Sequence, residues 1–252
     1  MIIAETLKAL DTAFKRWYNK LAAFMVKHLP LREGVTVLEV GCGRGGLTIP
    51  LMEHIHERCQ IIAFDLFSGP YKGGREKLQE SITDEGYQDR VRILQGDVRK
   101  MQEIEDASID VLISNDLFCD LDRAGLKEAL LEFHRILKQG SFMAHGEFSP
   151  YPQNKHQKLM IEADMHSLVT MEPRPNWFSP SADEVAGLLC NTGFCDVVVK
   201  YFKTGIQVKG PVAITTLQRW NIDPQFIANH KEQLLKNGFE FPMEHIFFCS
   251  KP

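Results

Sequence analysis

A doubly wound α/β domain, with a mostly parallel sheet covered by helices on both faces, is the fold class this sequence predicts. Three observations carry it. Residues 35–40 (Val35-Thr36-Val37-Leu38-Glu39-Val40) are rich in valine and have no polar face to speak of, which suits a strand buried on both sides. A cluster of glycines, Gly41, Gly43, Gly45 and Gly46, follows at once, and Leu47, Leu51 and Ile55 then recur at helical spacing. Further strand-like runs at 60–65, 90–95 and 108–114 alternate with helical patterns at 75–84 and 123–138 before another strand at 141–148. Strand, glycine turn and helix together make the unit that cradles nucleotides with free amide N–H groups.

The whole chain sets bounds on what this domain does. Its 252 residues suffice for one domain with embellishments rather than two full domains. Lys and Arg number 29 against 33 Asp and Glu, so no overall basic field gathers phosphates, and nucleic acid is not the expected partner. The six cysteines (42, 59, 119, 190, 195, 249) show neither a C-x-x-C pair nor a disulfide framework; they read as reduced thiols of a cytoplasmic protein. No segment has the apolar length of a membrane span, and no signal-peptide pattern opens the chain.

Taken alone, the glycine loop leaves two ligands open. Gly41, Gly43 and Gly46 fit the dinucleotide G-x-G-x-x-G, whereas Gly41, Gly43 and Gly45 fit G-x-G-x-G. Glu39, two residues before the first glycine, tips the choice: a carboxylate there repels a pyrophosphate and attracts an ammonium. Leu38-Glu39-Val40-Gly41-Cys42-Gly43-Arg44-Gly45 resembles the first motif of the class I S-adenosylmethionine (SAM)-dependent methyltransferases. The resemblance runs through residues 35–201 and 245–250 in motif order. It implies a sheet of seven strands with an antiparallel last strand, and SAM as cofactor. Gly41, Gly43 and Gly45 would form its loop, with Glu39 near the ammonium.

Asp65 closes the second strand, twenty residues past Gly45; an acid there accepts hydrogen bonds from both ribose hydroxyls, or else caps a helix. The resemblance also carries ribose binding onto Asp65 and places Leu66 near the adenine. It gives Asp97, beside Val98, the adenine amino group, although an Asp after Gly96 is also an ordinary turn residue. Here the chain departs from the family pattern: Ser68-Gly69-Pro70 and Gly73-Gly74 lengthen the loop after the second strand, which is expected to reach over the cofactor. At the end of the fourth strand stands Asn115-Asp116-Leu117-Phe118, where open α/β sheets place reacting groups. Asn115 is assigned to the cofactor and Phe118 to the substrate. Base- and glutamine-modifying members of the family carry an Asn/Asp-Pro-Pro-aromatic motif at this place; its absence argues against those acceptors.

The remaining segments carry no family signature. Leu7, Leu10, Phe14, Trp17, Leu21, Phe24 and His28 mark an amphipathic helix ending before Pro30, either a packing helix or a lid that turns Trp17 and Tyr18 to the substrate. Residues 149–178 hold a short helix from about 155 to 168. Ser181 and Glu184 are spaced as a capping box, Asp223-Pro224 opens a helix that Gly238 ends, and 195–201 and 245–250 are strands. The organisation expected is a helical cap segment over 1–34 and a catalytic domain over 35–252, with insertions at about 149–178 and 202–244.

The function expected is methyl transfer from SAM to a small molecule by in-line displacement, with no metal. A catalytically silent SAM-binding scaffold and an NAD-dependent oxidoreductase are the rival readings; an open pocket between strands four and five separates enzyme from scaffold. His145, on one face of the fifth strand with Glu147, is the candidate general base, or else a buried histidine satisfied by a backbone carbonyl.

Overall fold

The computed structural model describes residues 2–168 and 180–252; residues 169–178 of the expected insertion lie outside the described residues. A long helix, α1 (Ile2–Lys27), precedes β1 (Thr36–Val40), α2 (Thr48–His54), β2 (Gln60–Asp65), α3 (Gly74–Asp84), β3 (Val91–Gln95) and β4 (Ile109–Asn115). Then come α4 (Arg123–Ile136), β5 (Leu137–Phe148), α5 (Lys155–Met165), α6 (Ala182–Asn191) and β6 (Cys195–Phe202). A further stretch holds β7 (Gln207–Val208), α7 (Pro211–Arg219), α8 (Pro224–Asn229), α9 (Lys231–Lys236) and β8 (Phe239–Glu240), and β9 (Glu244–Ser250) follows it.

The seven-stranded sheet has the order β3-β2-β1-β4-β5-β9-β6, parallel except for β9, which runs antiparallel to both β5 and β6. Alternation along the strands sends their side chains into two apolar cores. Val37, Ile61, Val111 and Ile113 face Leu21, Met25 and Leu51 on one side; Leu38, Val40 and Leu112 face Leu130, Phe133 and Leu189 on the other. Burial on both faces is what a parallel sheet requires and why its strands read as apolar runs.

Helix α1 belongs to the first core: Trp17, Leu21, Ala22 and Met25 are buried. Several helix ends are capped by side chains, the Ser181–Glu184 pair as its spacing predicts. Asp122 accepts from Gly125 N at α4, Asn154 accepts from His156 N and Gln157 N at α5, and Ser181 and Glu184 complete the capping box of α6. The predicted single helix from Pro224 to Gly238 breaks at His230 (φ −107°), whose ring nitrogen bonds to the Phe226 carbonyl at 2.9 Å and ends the first of two shorter helices. No helix among the described residues is long and apolar enough to cross a membrane.

Candidate cofactor and acceptor site

A cavity of about 840 Å³ lies at the carboxyl ends of β1, β4 and β5, the crevice that doubly wound sheets offer to ligands. Glu39, Asn115, Asp116 and Glu147 come from the strand ends. Trp17 and Tyr18 of α1, with Phe148, Trp220 and Phe241, supply aromatic walls. Trp17 and Phe148 are stacked at 5.6 Å between centroids. The N-terminal helix therefore packs in the core and lines the cavity, so both readings of it describe a part.

Of the residues expected at the cofactor, the cavity brings together Glu39, Gly41, Gly43 and Asn115. Glu39 is 2% exposed, and its Oε2 has no hydrogen-bond partner. Burial pushes its carboxyl up to about 7, with the charge of Asp65 adding to the rise. A buried acid facing a cavity without a partner suits a cationic ligand, and the ammonium of a methionine moiety is one. Asn115 sets its Oδ1, also unpartnered, against the backbone of Gly146, where an added Cβ would stand 2.2 Å away. Gly146→Ala is expected to displace Asn115 and to cost about 1–3 kcal/mol of stability, read as a lowered denaturation midpoint.

The structure departs from expectation on the adenosine side. Gly45, Asp65, Leu66, Asp97 and Val98 do not line the cavity. Gly45 adopts φ +86° and turns the chain beneath it, an added Cβ meeting Leu78 at 2.6 Å. Asp65 spends one acceptor position of each oxygen on the loops, Oδ2 from Gly43 N at 2.9 Å and Oδ1 from Phe67 N at 2.7 Å. Asp97 turns to Arg99, whose guanidinium holds its carboxyl below the usual range, and Leu66 is half exposed. Tyr71, from the glycine-rich loop after β2, lies over Gly43; an added Cβ there would meet its ring at 3.3 Å. The lengthened loop thus covers the glycine turn.

The acceptor side departs too. His145 is fully buried and away from the cavity, stacked on Phe118 at 3.4 Å between centroids, and neither ring reaches the cavity. Its Nδ1 pairs with Ser114 Oγ at 2.8 Å and its Nε2 with Glu147 Oε2 at 3.2 Å. Burial drives the imidazole down to about 3, so it stays neutral and does not take up a second proton. Glu147 is the residue that meets the cavity: its Oε2 also accepts from Phe118 N at 3.0 Å and Cys119 N at 3.3 Å. Asp116, held at φ +51°, faces the same space, and burial together with repulsion from Glu147 raises its carboxyl. Asp116, Cys119 and Glu147 each bring a ligand atom within 4.8 Å of the others. The sequence signal for this pair was present: acids at the ends of neighbouring strands β4 and β5.

Comparison with known proteins agrees with this geometry. The family described as a methyltransferase domain matches residues 37–140, from β1 to the start of β5. A sterol 24-C-methyltransferase from Pneumocystis carinii is 28% identical over 163 residues, 60% of this chain; the chain spans 39% of that relative's length. Among solved structures, the YcgJ protein of Bacillus subtilis superposes with a TM-score of 0.67 at 16% identity, over 92% of this chain and 98% of its own. A phosphoethanolamine N-methyltransferase from Haemonchus contortus, in complex with phosphomonomethylethanolamine and S-adenosylhomocysteine, gives 0.56 at 14% identity, over 88% of this chain and 50% of its own. At these identities the structural likenesses speak for the fold.

Proposed function

We propose that this chain, whose residues 37–140 match a methyltransferase domain, is a class I SAM-dependent methyltransferase that moves the methyl group of SAM onto a small molecule held in the cavity. The observation that carries this is the cavity itself: one space is shared by the glycine loop and Glu39 at one wall and by Asp116 and Glu147 at another. A scaffold that only bound SAM would have no use for room beyond it.

Glu39 and the loop at Gly41 and Gly43 hold the methionine part, and Asn115 offers a further acceptor. Asp65 fixes the loop through Gly43 N. SAM supplies an electrophilic methyl on a sulfonium, so the protein's task is to position the acceptor and exclude water, worth about 7–11 kcal/mol. The aromatic walls of Trp17, Tyr18 and Phe148 exclude water; Glu147 takes the acceptor's proton, and His145 positions Glu147. Glu39→Gln is expected to weaken S-adenosylhomocysteine binding by about 1.5–3 kcal/mol, read by calorimetry.

The test is methyl transfer from radiolabelled SAM into a fractionated metabolite extract. Label in a small-molecule fraction supports the reading. Label only in tRNA or protein, or S-adenosylhomocysteine binding with no transfer at all, overturns it.

A further inference from the structure

Beyond the choice of a small molecule, the cavity has a chemical character of its own. Its lining carboxylates, Asp11, Glu39, Asp116, Asp120, Glu147 and Asp164, come from α1, β1, β4, β5, α5 and the turns between them. Its lining arginines, Arg44 and Arg219, are exposed residues, whereas Glu39 and Glu147 are 2% and 3% exposed. Among the ion pairs of the described residues none neutralises Asp116 or Asp120, and the partner of Glu147 is the neutral His145. Behind this wall Glu244 is fully buried, beside Trp17 and Asn115, and it lies close enough to Asp116 and Glu147 to feel their charge. Glu39 Oε2 and Asn115 Oδ1 point the same way, as sealed acceptors without a donor on the cavity's own lining. Among the described residues, the buried part of the lining is thus rich in acceptors and carboxyl groups, and its two arginines are exposed residues.

Resting on the methyl-transfer reading, we infer that the acceptor is an amine, which enters as an ammonium ion and is gripped by Asp116 and Glu147 among the rings of Trp17, Tyr18 and Phe148. The sulfonium and ammonium of SAM account for the Glu39 wall; the Asp116–Glu147 wall would take a second cation. Aromatic faces around a cation add to its binding, most strongly for Trp and where water is excluded. A metal ion fits the same carboxylates less well. Glu147 Oε2 already receives three N–H donors, the Cys119 thiol is pushed up by burial and neighbouring acids so that it holds its proton, and a cavity of about 840 Å³ is far larger than an ion needs.

The step balances simply. The bound ammonium gives one proton to the Asp116–Glu147 pair and becomes a neutral amine. Its lone pair forms the N–C bond as the C–S bond of SAM breaks, the electron pair returning to sulfur. The methylated nitrogen carries the positive charge away, and the carboxyl pair passes its proton to solvent as product leaves. A phenol or carboxylate, lacking that charge, has nothing to offer the acids on entering.

The test is calorimetry on the full chain saturated with S-adenosylhomocysteine, titrated with phenethylamine, with phenethyl alcohol of the same shape, and with Mg²⁺, Mn²⁺ and Zn²⁺. Expected is binding of the amine at least tenfold tighter than of the alcohol, a preference lost in Asp116→Asn while S-adenosylhomocysteine binding persists. Should the variant fail to fold, the amine-to-alcohol ratio of the parent protein decides by itself. Equal binding of amine and alcohol, or metal binding without amine preference, overturns the inference and leaves methyl transfer standing. Failure of S-adenosylhomocysteine itself to bind removes the premise.

Discussion

Replacing Glu147 by glutamine is expected to lower turnover by roughly 10²–10⁴-fold while S-adenosylhomocysteine affinity changes little. The amide keeps the shape and can still receive the N–H groups of Phe118 and Cys119 through its oxygen, so the fold is spared. It has lost the capacity to hold a proton taken from the acceptor. His145→Ala supplies the complementary test. Removing the Nε2 donor takes one hydrogen bond from the ionised form of Glu147, which raises the carboxyl further. The ascending limb of the pH–rate profile is then expected at higher pH, with activity recovering as pH rises. An unshifted profile in His145→Ala, or undiminished turnover in Glu147→Gln, removes the carboxylate from the mechanism.

The second large effect is on stability. Glu39 has its carboxyl raised from 4.5 to about 7 by burial, and Asp120 from 3.8 to about 8 by the same cause. A folded state that binds protons more tightly than the unfolded chain is favoured at low pH and loses that advantage as pH rises. Stability of the ligand-free protein is therefore full, in this respect, below pH 3.8 and falls through the window up to about 8, the Glu39 share between 4.5 and about 7. At about 1.4 kcal/mol per unit, Glu39 alone accounts for about 3 kcal/mol of the decline. Thermal melts between pH 5 and 8 check it: the midpoint falls with pH in the parent protein and falls less in Glu39→Gln. A flat midpoint in the parent protein, or an identical slope in the variant, contradicts it.

What was legible in the sequence is what local chemistry determines. β1, the glycine turn and α2 are contiguous, so apolar runs, glycines and helical spacing describe them in full. The Ser181–Glu184 capping box is likewise a local signal. Glu39 and Asn115 line the cavity because a strand's carboxyl end fixes where its last side chains stand. The ordinary titration range of histidine points to His145 as the candidate base, whereas in the fold burial against Phe118 keeps its ring out of the cavity that Glu147 meets. Two same-face residues on one strand differ there only in which one the neighbouring rings cover. The covering of Gly43 by Tyr71 comes from a loop whose path no periodicity records. The contact of Asp97 with Arg99, two residues on, is local and needs no fold to form.

The placing of β9 bears on the time course of folding. This strand occupies an interior position between β5 and β6, yet its first residue, Glu244, pairs with Phe148, about a hundred residues earlier. The parallel half of the sheet, β3-β2-β1-β4-β5, contains Glu39 and the glycine loop and can assemble from sequential βαβ units. Until β9 docks, the edge of β5 stands open, with Met143 and Ala144 lacking the cover they have in the finished sheet. Closing that long loop costs little extra free energy but delays the contact. Glu147 pairs with His245 on the arriving strand, so the acceptor wall acquires its final geometry last, after the half that holds the glycine loop. A nascent chain would thus be ready for the methyl donor before it is ready for the acceptor.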